Sequence, residues 1–215
     1  MLLPALNKAR ASARGIHCAG NMKTLGMAAA LYTDLYNGVL VPICKNDWSW
    51  QDPWYNSPNQ GGLIYIRLFL GNNNWNQMYV PTKMLCPSVA AGQNEKATWG
   101  AYDQFVRISF YGMNRVNCDN QYSQGDYWVI DFRRVKSPAG KLLHIDTRSA
   151  GGATAGTGKW NVWQTDADPA LSTAGVAYNH NNRTSVLFID GHVSTHPPAD
   201  VFNAWETNGT WEPYK

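Results

Sequence analysis

The chain has 215 residues, enough for one domain with a substantial core. Charged residues are 15% of it, against roughly 25% in ordinary soluble domains, while 10 Trp, 11 Tyr and 6 Phe make it rich in aromatics. The net charge of +3 is too small and too scattered to argue for a nucleic-acid partner, and no apolar run reaches the roughly 18 residues that cross a bilayer.

Residues 1–36 read as one long helix. Cys18, Met22, Leu25, Ala29, Tyr32 and Tyr36 recur at spacings of 4, 3, 4, 3 and 4, which places them on one face. Leu3, Leu6, Ala9 and Ala13 continue an apolar strip upstream, and Lys8, Arg10, Arg14 and Lys23 fall largely off it. Gly15, Gly20 and Gly26 each weaken such a helix by about 1 kcal/mol relative to Ala, so it needs a partner surface. Asn37-Gly38 ends it, with Gly38 expected in the left-handed cap position.

Residues 37–215 are expected to form a globular α+β region, the whole chain being one structural domain. Residues 39–60 read as a loop carrying Trp48, Trp50 and Trp54, and residues 61–70 as a short helix. Residues 104–113, Tyr127–Phe132 and Lys141–Ile145 read as strands, and residues 149–158 as a glycine-rich loop. A C-terminal β-meander is expected over 174–196, built from Val176–Tyr178, Ser185–Ile189 and His192–Thr195. Asp190-Gly191 is expected to be its two-residue hairpin turn. Val186 to Ile189 is apolar at every position, which predicts a strand covered on both faces. A long helix followed by an antiparallel sheet is α+β.

Few residues recommend themselves for chemistry. His180, Asp190, His192 and His196 resemble a metal set, but His180 and Asp190 stand at opposite ends of one strand, about 20 Å apart. His192 and His196 are about 13 Å apart along another. Local hydrogen bonding is the expected role of each. Asp166 and Asp168 lie in an oxygen-rich loop and are the calcium candidates. Gly158-Lys159 fails as a phosphate loop, since Ala153 and Trp160 stand where Gly and Ser or Thr are needed. No Gly-x-Ser-x-Gly motif is present, and no enzymatic activity is expected. Trp48, Trp50, Trp54 and Trp75 form the candidate ligand surface, since exposed indoles stack on sugars. The four cysteines, Cys18, Cys44, Cys86 and Cys118, include no Cys-x-x-Cys pair. In an exported protein they allow up to two disulfides, with three pairings open.

His180 and Asp190-Gly191 are spaced as H-x9-D-G within the run from His180 to Val193. Upstream stand Leu2 to Arg10, Cys18-Ala-Gly-Asn-Met-Lys23, Cys86-Pro-Ser, Ser109 to Asn114, and Val135-Lys-Ser-Pro followed by Asp146. In this order they resemble the bacterial prepilin-type H-x9-DG family of pseudopilin-like proteins. Gly20 departs from the larger polar residue more usual there. The resemblance implies a pilin-like fold: a long N-terminal helix packed on an antiparallel sheet with long aromatic-rich loops. It implies a structural subunit, a pseudopilin or minor pilin, of a type II secretion or type IV pilus-like assembly. It also implies a leader and an apolar span ahead of Met1 in the full-length protein. The inner membrane would then be the anchor, the location periplasmic or extracellular, and other pilin subunits the partners of the helix. The 215-residue chain alone is expected to be monomeric. His180, Asp190 and Gly191 are read as a fold signature, with no cofactor. Cys18 is paired with Cys86 first, and Cys44 with Cys118 second. The alternative on the same scaffold is a surface glycan-binding protein, and after it a metal-dependent hydrolase.

Overall fold

A computed structural model describes residues 2–40, 80–81, 86–87, 105–106, 111–114, 123–124, 127–128, 130–149, 161–162, 174–201 and 210. Trp48, Trp50, Trp54, Trp75, Cys44, Cys118, Asp166, Asp168 and the helix expected over 61–70 lie outside the described residues. The described residues form one long N-terminal helix and an antiparallel sheet with a single short parallel pairing, an α+β arrangement.

Helix α1 spans Leu2–Leu35. Its buried residues begin at Gly15 and continue with Cys18, Met22, Leu25, Gly26, Ala28, Ala29 and Tyr32, the helical spacing of one face. Tyr36, expected to end that stripe, is 38% exposed and stacks on Tyr32 at 4.3 Å. The cap differs from expectation. Asn37 at φ 53° takes the left-handed position itself, and Gly38 follows at φ 86° with its N–H donated to the Thr33 carbonyl at 2.8 Å. That six-to-one bond needs its left-handed residue one step earlier, where Asn is tolerated.

The strands are β1 (Val80–Pro81), β2 (Phe105–Val106), β3 (Tyr111–Asn114), β4 (Ser123–Gln124), β5 (Tyr127–Trp128), β6 (Leu142–Ser149), β7 (Asn161–Val162), β8 (Ala174–Val176), β9 (Thr184–Phe188) and β10 (Val193–His196). The main sheet runs β10-β9-β6-β3-β7, antiparallel except for the parallel β3–β7 pair, and β8 also pairs with β6. Two short antiparallel ladders, β1–β2 and β4–β5, stand apart from it. Phe132 belongs to no strand. It opens a 3-10 turn, Phe132–Arg134, because Asp131 accepts the Arg133 N–H at 3.0 Å and caps it.

The C-terminal strands are not a meander. β9 and β10 form a hairpin, whereas β8 pairs with Thr147–Ser149 of β6 and β9 with Leu142–Ile145 of the same strand. The chain leaves β6 after β8 and returns at Thr184, and the intervening excursion carries His180. It turns on Asn181 and Asn182, both at positive φ, with His180 and Arg183 exchanging two backbone hydrogen bonds at 3.2 Å. This is a two-residue hairpin turn of the kind that asparagine permits. The β9–β10 loop has three residues rather than two. Gly191 donates to the Phe188 carbonyl at 3.0 Å, and Phe188 N–H bonds to the His192 carbonyl at 3.0 Å. Gly191 at φ 87° then supplies the left-handed step that rejoins the ladder.

β9 is buried along its whole length, with different layers on its two faces. Val186 and Phe188 join Leu142, Ile145, Val176 and Val201 in an apolar core on one side. Leu187 meets α1 on the other, its Cδ1 lying 2.9 Å from where a Cβ on Gly26 would stand. Directly paired residues share a face, so His144 (opposite Leu187) and Met113 (opposite His144) belong to the helix side. Tyr111 and Asp146, opposite each other, lie there too. A bulge at Leu143 makes this possible, turning His144 to the helix while Leu142 stays in the far core.

Gly26 is thus a close-approach position and Gly20, with nothing near its missing Cβ, is not. Gly20→Ala is expected to stabilise the protein by about 0.5–1 kcal/mol through helix propensity alone. Gly26→Leu is expected to destabilise it by about 1–3 kcal/mol through overpacking. Urea denaturation of the two variants checks both signs.

Candidate functional site

The helix face of the sheet is not wholly apolar. Cys18 from α1, Cys86, His180 from the excursion and Asp146 from β6 meet beneath the helix, all 5% exposed or less. Cys18 and Cys86 are both buried thiols, and their sulfurs and a ring nitrogen of His180 all lie within 4.8 Å of one another. Cys86 Sγ is 3.5 Å from His180 Nε2, and the same Nε2 is 3.4 Å from Asp146 Oδ2. Asp146 Oδ2 also accepts the Ser185 backbone N–H at 2.9 Å, while Oδ1 is buried with no hydrogen-bond partner among the described residues. Tyr111 closes the sheet side, its hydroxyl accepting from Asn21 Nδ2 at 3.1 Å. Gly15 is the helix residue laid over His180, since a Cβ there would stand 3.4 Å from the His180 Cβ and Cγ.

Local sequence explains each position. Cys18 lies on the buried stripe of α1. His144 and Asp146 alternate with Leu143 and Ile145, so the strand turns its two polar residues to one face. The Asn181-Asn182 turn fixes the His180 backbone, and the excursion lowers its ring onto the helix.

The electrostatics follow from burial. Hydrogen bonding to Cys86 and burial push the Cys18 thiol far above its usual range. It is therefore protonated and is no activated nucleophile. Burial pulls the His180 imidazole down, but hydrogen bonds to Asp146 and Cys86 and the charge of the carboxylate outweigh it and raise it to about 10. Burial raises Asp146, and the His180 contact pulls it back. The pair holds one proton at neutral pH, on the imidazole. His144 is different: burial lowers it to about 3, against backbone hydrogen bonds to Tyr111 and Gly112, so it is neutral.

The other sequence candidates are not gathered here. Asp190 and His192 make their own exposed pair, Oδ1 to Nδ1 at 2.6 Å, and the His192 ring stacks on Phe188 at 4.3 Å. His196 bonds to Ser194 Oγ at 2.6 Å and approaches Asp200 at 3.4 Å. These are the local hydrogen bonds expected of them. His144 was absent from the sequence candidates, and Asp146 stood there only as a marker of the family resemblance. Their signal is two polar residues at alternate positions in the stretch Leu142-Leu-His-Ile-Asp146, otherwise apolar. No family model, curated protein or solved structure matches the chain.

Two outcomes are expected. Asp146→Asn leaves the His180 charge buried without its counter-ion, and should cost about 3–5 kcal/mol in urea denaturation. His144 has a folded pKa below its unfolded one, so the unfolded state takes up a proton first as pH falls and stability drops between about 6.5 and 3. Between about pH 7.5 and pH 5 that loss is about 2 kcal/mol, and His144→Gln should remove this part of the slope.

Proposed function

We propose that the protein is a pilin-like structural subunit, a pseudopilin or minor pilin, of a type II secretion or type IV pilus-like assembly. The observation that carries the reading is the unequal use of α1. The helix has 34 residues, about 50 Å of length, yet its buried stripe starts only at Gly15. Every residue from Leu3 to Arg10 is exposed, Leu3 at 74% and Leu6 at 46%. Farther along, Ile16, Met27, Leu31 and Leu35 are more than half exposed on the side away from the sheet. At the helical repeat these four fall within a sector of roughly 100°. A helix apolar on its sheet face and again on its outer face suits a bundle of neighbouring helices, and exposed apolar stripes of this kind mark interaction surfaces.

The H-x9-D-G spacing supports the same reading. Its two marked points are structural: Asp190-Gly191 shapes the β9–β10 loop, and His180 pins the excursion under the helix. No described helix is long and apolar enough to cross a membrane. Under this reading an apolar span ahead of α1 in the full-length protein supplies the inner-membrane anchor. The globular part then lies in the periplasm or on an extracellular filament, and assembly is driven by apolar helix packing.

Met27→Glu and Leu31→Glu test the reading. Each should change the stability of the 215-residue chain by no more than about 0.5 kcal/mol, since the side chains touch solvent. In the full-length protein each should lower incorporation into filaments, scored by immunoelectron microscopy of sheared fractions. Incorporation at the unsubstituted level would refute the assembly role of this face.

A further inference from the structure

We propose that Cys18, Cys86, His180 and Asp146 form a structural zinc site that fastens α1 to the sheet. The inference stands independently of the filament reading.

The donor set comes first. Two thiols and an imidazole nitrogen from three separate parts of the chain lie within 4.8 Å of one another, the Asp146 carboxylate stands 3.4 Å from the imidazole, and all four residues are buried. Soft sulfur with imidazole selects zinc over the hard cations, and a buried site in which the neighbouring carboxylate completes the coordination is the structural kind.

The distances come second. In tetrahedral zinc, with Zn–S about 2.3 Å and Zn–N or Zn–O about 2.0–2.1 Å, neighbouring sulfur and nitrogen donors stand about 3.5 Å apart, and nitrogen and oxygen donors about 3.4 Å. Cys86 Sγ to His180 Nε2 is 3.5 Å and His180 Nε2 to Asp146 Oδ2 is 3.4 Å. A charge-assisted hydrogen bond between an imidazolium and a carboxylate would be shorter, about 2.7–2.9 Å. One ring nitrogen, moreover, faces both the sulfur and the carboxylate. A single N–H shared between the two is long to each, whereas a lone pair on Nε2 directed at an ion between them fits.

The leftover polar atom comes third. Asp146 Oδ1 is buried with no hydrogen-bond partner among the described residues, and the His180 ring approaches the other oxygen, Oδ2, so the carboxylate keeps an acceptor open to a cation. The Ser185 N–H on Oδ2 and the Tyr111 hydroxyl beside Cys18 are the outer contacts that orient such ligands. On binding, both thiols and the imidazolium release their protons, and the ion takes over the charge balance that the His180–Asp146 pair otherwise provides. The ligands join α1, the Cys86 segment, β6 and the excursion, so the metal adds a cross-link where the helix begins its packed half.

The full 215-residue chain, expressed with zinc, freed of any affinity tag and purified without chelator, tests this by elemental analysis. One zinc ion per chain is expected, lost in Cys18→Ser and Cys86→Ser and retained in Cys44→Ser and Cys118→Ser. Cobalt exchanged into the unsubstituted protein should show sulfur-to-cobalt charge transfer and the intense visible bands of a tetrahedral ion, a readout that needs no variant to fold. A strong chelator should lower the melting temperature. A non-reducing peptide map joining Cys18 to Cys86 would overturn the proposal in favour of a disulfide. Reduced, folded protein that takes up neither zinc nor cobalt would overturn it as well.

Discussion

Everything in this fold depends on how closely α1 can approach the sheet between Gly15 and Tyr32. Two contacts set that distance. At Gly26 the helix backbone meets Leu187 and the Gly191 main chain, and a Cβ there would press on Leu187 Cδ1 at 2.9 Å. At Gly15 it rests on the His180 ring. The stripe between these points, Cys18, Met22 and Leu25, is 3% exposed or less. Glycine weakens an isolated helix, but here the lost propensity is offset by packing that a larger residue would prevent.

Beneath this contact the structure places polar groups where an ordinary helix-on-sheet interface has aliphatic ones. His144 stays neutral because burial is its dominant influence, while His180 stays charged because Asp146 is beside it. The two histidines therefore respond to pH in opposite senses, although both lie under the same helix. Buried ionic groups of this sort are a weak source of net stability. Their effect is to make one placement of the helix much better than its neighbours. A shift of one residue along the helix would separate Cys18 from Cys86, and the same shift in β6 would turn Asp146 into the apolar core.

The filament reading and the zinc site meet at the same point on α1. The helix changes character at Gly15, exposed before it and packed after it. A cross-link at Cys18 sits just inside that boundary. It would hold the packed half rigid against the sheet and leave the projecting half to engage neighbours, so that load carried along the helix reaches the sheet rather than peeling it away.

The sequence by itself determined the long helix, its buried face and the strand pair around Asp190-Gly191. Each of these rests on a local period or a short-range turn preference, and such signals are written in adjacent residues. The cap residue and the loop length were off by one position: Asn37 and Gly38 are both left-handed at the helix end, and a single left-handed Gly191 closes a loop one residue longer than a two-residue turn. Only the tertiary structure decided that β8 pairs with β6 instead of extending a meander, since strand partners are chosen by non-local packing. The site was equally out of reach. The family resemblance brought Cys18 and Cys86 together as a disulfide, and the structure brings them together as free thiols, but no spacing links them to Asp146 and His180. Their meeting depends on the Leu143 bulge, the excursion between β8 and β9, and the seating of the helix, and none of these is a property of any one stretch of chain.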